Sequence, residues 1–364
     1  MPPVADESAQ VDAVQDEAAV KEAVVEPFAY RPPVDQPASA SEGSASPITV
    51  GGRAMGTTWQ VKLGTASQVD DVEALQQDVA ARIEQLEAMM SHWRADSDVA
   101  QFAQAPAGKP MPIPVELRDV LATSLEAFLQ TDGAFDVTVG PLVRLWGFGP
   151  AQRRKEPPGE KEIIEVQKTI GSQHLVLDEI NPAAPRLSKK IAPLELDLSA
   201  IAKGYAIDQV AELLDRRGEQ DYLIEFGGEL RARGRRSPDR PWQIGLELPN
   251  AGREDVVRRV VALVDESVAT SGDYRQYFAD RASGRRYSHI IDPRIGRPAA
   301  NGLVSVSVIA ATAMRADALA TALMVLGPQQ GMEFAEKHNL SAVLVVERDG
   351  RLTEQETTVF DERE

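Results

Sequence analysis

The sequence predicts an α+β fold, built as a single unit of mixed and antiparallel sheets with packed helices. In its second half strands mostly follow strands while helices come in groups, an order that favours α+β over a doubly wound parallel sheet. Hydrophobic residues make up 43% and charged residues 26% of the 364 residues, as in globular proteins. No run approaches the roughly 18 apolar residues that a membrane-spanning helix needs. The sequence therefore predicts a folded unit with a sizeable core.

Residues 1–46 are predicted to form a disordered tail and residues 47–364 the folded domain. The first fifty residues hold nine acidic residues, seven prolines and no leucine. Such a segment buries too little apolar surface to offset the entropy lost on ordering, although a short helix around 14–25 is compatible with the pattern. The chain starts at Met1 with neither the basic region nor the apolar stretch of a signal peptide. We expect either a cytoplasmic protein or a sequence that begins after a removed signal.

The first half of the domain is predicted to contain one clear strand and two helices. Apolar and polar side chains alternate from Trp59 to Leu63, which is the period of a half-buried strand. Apolar residues then recur every three or four positions from Val72 to Met90, which predicts a helix with one face toward a core. A second helix is predicted at about 115–129. The segments 150–162 and 181–193 are predicted to be irregular connections.

The second half is predicted to combine three helices with a series of strands. The helices are predicted at about 201–216, 313–326 and 329–338. The strands are predicted at about 222–226, 242–248, 260–264, 287–291, 303–309 and 343–347. Asp349-Gly350 is a favoured pair for a tight hairpin turn, so the chain is predicted to end with a hairpin.

Composition and missing motifs exclude several classes of function. The net charge is −17, and an anionic field of that size repels a phosphate backbone, so nucleic-acid binding is not expected. Without cysteine the chain can form no disulfide, thiolate nucleophile, zinc finger or iron–sulfur cluster. The glycine-rich nucleotide motifs and the Gly-x-Ser-x-Gly motif of hydrolases are absent. The four histidines are too scattered for a His-Glu-x-x-His metal site.

The segment from Leu196 to Ala206 is the richest candidate site. An apolar strand end delivers Asp197 and runs into a helix, whose first backbone N–H groups can receive an anion. The small Ala200 would let a ligand approach the main chain. A capped helix with a solvated Lys203 fits the pattern equally well.

Asp317 and Thr321 form a second candidate site. They are four residues apart on a predicted helix, so their oxygens project from one face, between alanines that leave room. Mg²⁺ prefers oxygen ligands and is usually held by one or two carboxylates plus substrate phosphates. The same spacing is also typical of a surface pair.

Two further regions are unusual. Residues 131–141 combine a glycine turn with a strand-like start; such a turn can expose Asp136 and backbone amides to a ligand, or simply end the preceding helix. Residues 270–274 and 287–293 place hydroxyl groups and His289 at strand and loop edges. A lone histidine is more often structural than catalytic.

Together these segments resemble the FAD:protein FMN transferases, the ApbE family, from about Gly51 to Val346. Eight motifs in the family's order carry the resemblance: Ala54-Met55-Gly56-Thr57, Met90-Ser91-His92-Trp93, Gly133 to Thr138, Leu196 to Ala206, Glu225 to Glu229, Ala269 to Tyr274, Ser288 to Pro293 and Ala316 to Thr321. Eight motifs in one order leave little room for coincidence. Ser199 departs from the glycine that many members carry there.

The resemblance implies an enzyme that transfers the FMN half of FAD, as a phosphoester, to a Thr or Ser hydroxyl of a partner protein, with release of AMP. It implies Mg²⁺ bound by Asp317, Thr321 and the backbone carbonyl of Ala200. His289 is implied as the base that takes the acceptor's proton, with Asp292 orienting it. The residues implied to line the FAD site are Met55, Trp93, Ala134, Phe135, Asp136, Asp197, Lys203 and Ile291.

The resemblance also implies a partner and a location. Family members serve membrane-bound redox complexes, so the expected acceptor is a flavoprotein subunit of such a complex. Members are typically exported, often as lipoproteins. This implies a periplasmic enzyme, anchored to the inner membrane through an N-terminal segment that has been removed from this chain. The lipobox cysteine is absent here.

Two other functions are compatible with the same residues. A Mg²⁺-dependent FAD pyrophosphatase would give FMN and AMP with water as the acceptor. A non-catalytic FAD-binding protein would have no need of a metal and a base, so Asp317, Thr321 and His289 speak against it.

Deletion of Met1 to Ala45 is expected to leave folding and FAD binding nearly unchanged, because that segment has little apolar surface to add to a core. Urea unfolding of the full and shortened chains checks this. A loss of more than about 1 kcal/mol in the free energy of unfolding would show that the segment packs on the domain.

Overall fold

The computed structural model describes residues 48–149, 154, 156–178, 180–247, 257–273, 276–280 and 284–362. The predicted tail and its short helix lie outside these residues, as does part of the predicted connection at 150–162. In the part of the chain that is described, no helix is long and apolar enough to cross a membrane.

The described residues form helices of very different length. The helices are α1 (Val72–Met90), α2 (Asp98–Gln104), α3 (Val115–Gln130), α4 (Gly140–Leu145), α5 (Glu160–Gln167), α6 (Ala202–Arg216), α7 (Ala313–Lys337) and α8 (Thr358–Asp361). Helix α7 is kinked at Gly327, which has a φ of 83° directly before Pro328. Proline lacks the N–H that a continuous helix needs, so the two predicted helices meet at this kink.

The strands of the described residues build one large antiparallel sheet and four small ones. They are β1 (Thr49–Ala54), β2 (Thr57–Leu63), β3 (Met111–Pro112), β4 (Leu175–Asp178), β5 (Arg186–Lys189), β6 (Tyr222–Phe226), β7 (Glu229–Arg233), β8 (Arg235–Ser237), β9 (Arg240–Glu247), β10 (Val257–Leu263), β11 (Ser267–Gly272), β12 (Tyr277–Ala279), β13 (Arg286–Ser288), β14 (Ile291–Asp292), β15 (Arg297–Pro298), β16 (Leu303–Ala310), β17 (Ser341–Arg348) and β18 (Arg351–Glu356). The eight-stranded sheet has the order β1-β2-β6-β7-β11-β16-β17-β18. This arrangement confirms the predicted α+β fold.

The large sheet is buried on both faces in its centre. Successive side chains of a strand point to opposite faces. On β16, Val306 and Val308 pack with α7, whereas Ile309 packs with Trp242 of β9 and Phe360 of α8. Helix α7 therefore covers one face, and β9, β10 and α8 cover the other.

Helices α6 and α7 cross so closely that their contact requires a glycine. A Cβ atom on Gly204 would lie 2.3 Å from the carbonyl oxygen of Ala313 and 2.7 Å from Cα of Met314. Both neighbours are backbone atoms, so neither can move aside as a flexible side chain could. The missing side chain lets the start of α7 lie directly against the start of α6.

The structure corrects several sequence predictions. The predicted connection 181–193 contains strand β5, and the predicted strand 287–291 is divided into β13 and β14. Residues 131–141 form turns that lead into α4, so the strand-like start is wrong. The approach to Asp197 is likewise no strand, because the backbone N–H of Asp197 donates to the carbonyl of Val137 at 2.7 Å instead of to a sheet partner. Each of these segments is short, so its hydrophobic pattern alone does not decide its structure.

Candidate active site

A cluster of charged side chains lies where α6 and α7 cross. Asp317, one turn into α7, has only 3% of its surface exposed and accepts a hydrogen bond from the backbone N–H of Gly204 at 3.1 Å. Lys203 Nζ lies 3.7 Å from Asp317 Oδ2 and 3.0 Å from Oε1 of the buried Glu229. Lys203 is therefore not the solvated side chain of a merely capped helix, and Asp317 does not belong to a surface pair.

The oxygen atoms of this cluster suit a hard cation. Both contacts of Asp317 use Oδ2, so within the described residues Oδ1 is left for a ligand. Thr321 lies one turn further along the same face of α7, with its hydroxyl 3.1 Å from Ser271 Oγ of β11. Ala200 lies in the turn before α6, three residues ahead of Lys203. A carboxylate, a hydroxyl and a carbonyl are donors that Mg²⁺ accepts, with water or substrate phosphates completing its octahedron.

Other kinds of metal site are not found. The described residues contain no group of three or more His, Cys, Asp or Glu side chains that could hold a metal ion. Transition metals favour such imidazole- and thiolate-rich sets.

A glycine turn between β6 and β7 lies against the same lysine. Gly227 has a φ of 64°, which favours glycine. A Cβ atom there would also lie 2.9 Å from Thr57 Cγ2 and 3.3 Å from Lys203 Cδ. Beside it, the backbone N–H of Gly228 donates to the buried Glu225 at 2.8 Å. Glu225 and Glu229 stand in one of the family motifs without a predicted role, and two acids around a Gly-Gly turn were the signal that could have found them.

Asp197 and Trp93 belong to a second group of residues. Asp197 Oδ1 accepts hydrogen bonds from the backbone N–H and the hydroxyl of Ser199 at 3.0 and 2.6 Å. The Nδ1 atom of His92 lies 3.6 Å from the same oxygen. The rings of His92 and Trp93 are 4.7 Å apart, and Trp93 is 57% exposed. An exposed indole next to this loop can stack on a flat ring. Sequence reasoning assigned no role to His92.

Asp136 is buried and organises its loop. Its Oδ1 accepts hydrogen bonds from the backbone N–H of Thr138 at 2.8 Å and from the hydroxyls of Thr138 and Ser172 at 2.6 and 2.7 Å. Its Oδ2 accepts from the backbone N–H of Ser172 at 3.2 Å. The carboxylate of Asp136 is therefore not exposed by this turn, contrary to the prediction. Ala134 and Phe135 are each only 2% exposed, so both residues are buried.

The predicted base lies in a third group. His289 is half-buried, with Nδ1 3.2 Å from the carbonyl oxygen of Gln276 and its ring edge-on to Phe148. Asp292 instead accepts hydrogen bonds from Arg294, through Nε at 2.9 Å and Nη2 at 2.8 Å. The pKa of Arg294 is raised mainly by this hydrogen bond to Asp292. The Gln276 carbonyl thus contacts the imidazole, and the orienting role of Asp292 stays a prediction.

Two further predicted residues have local structural roles. Met55 adopts a φ of 46°, and its backbone N–H donates to Glu87 of α1 at 2.9 Å. This holds the β1–β2 turn against α1. Ile291 is buried in a small core with Trp146, so its side chain stabilises the loop that follows His289.

These features define a class of site. At the crossing of α6 and α7, which Gly204 makes close, a buried carboxylate, a lysine and a hydroxyl lie together. An exposed tryptophan lies on a separate loop. Such a site suits an enzyme whose ligand combines an anionic group with a flat ring.

The chain belongs to the ApbE family, whose model matches residues 55–344. A Haemophilus influenzae protein named FAD:protein FMN transferase is 39% identical over 315 residues, which are 86% of this chain and 90% of that protein. A protein of the same name from Escherichia coli is 36% identical over 318 residues, covering 87% and 89%. The Pseudomonas stutzeri flavinyl transferase ApbE, apo form, has a similar structure, with a TM-score of 0.79, 39% identity and coverage of 89% of this chain and 98% of that chain.

Asp136→Asn is expected to destabilise the protein by about 1 to 3 kcal/mol, because an amide can no longer accept from all four donors and leaves buried groups unpaired. Urea unfolding measures the change. Asp132→Asn is the matched control, since Asp132 is exposed with a φ of 49° that asparagine tolerates. Equal stability of the two variants would contradict the organising role.

Proposed function

We propose that this protein is a Mg²⁺-dependent FAD:protein FMN transferase that moves FMN from FAD to a Thr or Ser hydroxyl of an acceptor flavoprotein, with AMP as the leaving group. The observation that carries the proposal is the cluster of Asp317, Lys203 and the Gly204 N–H at the helix crossing. Family membership and the names of relatives at 39% and 36% identity support it.

The residues of the cluster divide the binding of metal and phosphates between them. Asp317, Thr321 and the carbonyl of Ala200 would hold Mg²⁺, which when bound neutralises charge on the pyrophosphate. Lys203 Nζ lies 3.0 Å from Glu229 Oε1, a contact that would hold its ammonium group beside the phosphates of bound FAD. Positioning and electrostatics carry most of the catalysis in phosphoryl transfer.

The flavin ring and the acceptor hydroxyl would be bound by the other two groups of residues, around Trp93 and around His289. Trp93 would stack on a flat ring of FAD, and the Asp197 loop would border it. The acceptor oxygen forms a bond to the FMN phosphorus, the bond from that phosphorus to the bridging oxygen of AMP breaks, and the acceptor's proton goes to His289. Because the Gln276 carbonyl can only accept, Nδ1 of the neutral ring carries the hydrogen and Nε2 is the basic nitrogen.

Mass spectrometry tests the transfer. The full chain is incubated with FAD, Mg²⁺ and a candidate acceptor domain that carries Thr or Ser. The acceptor should gain one FMN while AMP is released, and excess EDTA should prevent both. FMN and AMP without labelled acceptor would show a pyrophosphatase, and intact FAD would show a binding protein. An acceptor from a membrane redox complex and a periplasmic location complete the proposal and rest on the family resemblance.

Asp317→Ala is expected to abolish FMN transfer and FAD hydrolysis together, because it removes the charged ligand of the metal. AMP release, measured by chromatography over a range of Mg²⁺ concentrations, checks this. Asp361→Ala, at an exposed position in α8, is the control. Undiminished turnover of the Asp317 variant would remove the metal role.

His289→Ala is expected to lower transfer by roughly 10² to 10⁴ while FAD and Mg²⁺ binding persist, since positioned proton transfer contributes that much. The wild-type rate should fall on the acid side, because a protonated imidazole cannot accept a proton. Single-turnover rates and equilibrium titrations separate the two effects. His338→Ala, at the end of α7, is the control. A near-wild-type rate for the His289 variant would place the base elsewhere.

A further inference from the structure

We propose that Asp208 is a positioning residue that sets the Mg²⁺ affinity of the site by holding the first turn of α7 against α6. The inference rests on the proposed metal site and goes beyond it, because Asp208 is not one of the proposed Mg²⁺ ligands. It would act through Asp317, without touching metal or substrate.

The carboxylate of Asp208 receives the start of α7. Its Oδ1 accepts from the backbone N–H of Ala313 at 3.0 Å and its Oδ2 from that of Met314 at 2.9 Å. The first N–H groups of a helix have no partner within the helix, and an anion at this end is favourable. Arg231 of β7 contacts the same carboxylate and also donates to the carbonyl of Ala311 at 3.3 Å. One side chain thus ties α6, α7 and β7 together.

Two contacts on one face of α6 fix the register of α7. Gly204 and Asp208 are four residues apart, and so are their partners Ala313 and Asp317. The Gly204 N–H donates to Asp317 while Asp208 accepts from Ala313. A shift of the first turn of α7 would therefore carry Asp317 away from Gly204 and Lys203.

The arrangement needs an ionised carboxylate. Burial raises the pKa of Asp208, and the hydrogen bonds from Met314, Ala313 and Arg231 act against that rise. Both oxygens accept from N–H donors, so an asparagine would present an NH₂ group to a donor. Helix α7 itself keeps its cap, because the Thr312 hydroxyl accepts from the Arg315 N–H at 3.3 Å. Asp208→Asn should therefore move the helix without preventing its formation.

Helix α6 offers a matched control. Asp215 is also bonded to an arginine of β7, Arg233, and accepts from the Tyr222 hydroxyl at 2.8 Å. Its described side-chain contacts are to β6 and β7, and none is to α7. Asp215→Asn removes an ion pair between the same two elements, although a more exposed one, and leaves the crossing intact.

Calorimetric titration of MgCl₂ into the full chain saturated with FAD tests the inference. Asp208→Asn should weaken Mg²⁺ binding by about 10- to 100-fold, as other residues behind metal ligands do. FAD affinity in EDTA and the Mg²⁺ affinity of Asp215→Asn should each stay within about twofold of wild type, which is below 0.5 kcal/mol. Mg²⁺ affinity near wild type for Asp208→Asn, or an equal loss for Asp215→Asn, would overturn the positioning role.

Asp208→Glu tests the positioning role if the asparagine variant does not fold. It keeps the charge but adds a methylene group. The longer side chain cannot accept from the backbone N–H groups of both Ala313 and Met314 in the present geometry, so Mg²⁺ binding should again weaken. Wild-type affinity in this variant would overturn the inference. Failure of the proposed metal site is a different result: the wild-type protein and Asp317→Ala would then show the same absence of Mg²⁺ binding.

Discussion

The close approach of α6 to α7 is the constraint on which the site depends. Gly204 leaves no side chain between the helices, so its own N–H reaches the carboxylate of Asp317 at 3.1 Å. Lys203, the preceding residue, reaches the same carboxylate from the side. A larger residue at position 204 would meet the backbone of α7. The chemistry proposed here is therefore a consequence of backbone packing, and the large sheet supplies the platform on which α7 rests.

Several carboxylates around the site are buried. Asp317, Glu229 and Asp136 are each 7% exposed or less, and each is met by N–H, O–H or ammonium donors. A buried charge without such partners is strongly destabilising. The carboxylates around the site thus divide into those that hold loops, such as Asp136, and Asp317, whose Oδ1 remains open within the described part of the chain.

Sequence reasoning succeeded where a pattern is local. Strand β2, helix α1 and the final hairpin follow from periodicity and turn chemistry. The motifs also point to Asp317 and Lys203, whose roles in the site stay predictions. Strand β5 and helix α2 are too short for periodicity to show. The contact of Asp208 with Ala313 spans 105 residues, and that of Asp136 with Ser172 spans 36. No local pattern encodes such contacts, because tertiary packing creates them.

The proposed chemistry depends on a divalent cation held at the helix crossing beside the phosphates of FAD. Anomalous diffraction from crystals grown with Mn²⁺ and FAD tests it most directly, since Mn²⁺ accepts the same oxygen donors as Mg²⁺. We expect an anomalous peak bonded to Asp317 Oδ1, the Thr321 hydroxyl and the Ala200 carbonyl, next to the FAD pyrophosphate. A peak elsewhere, or FAD bound with no peak at the crossing, would contradict it.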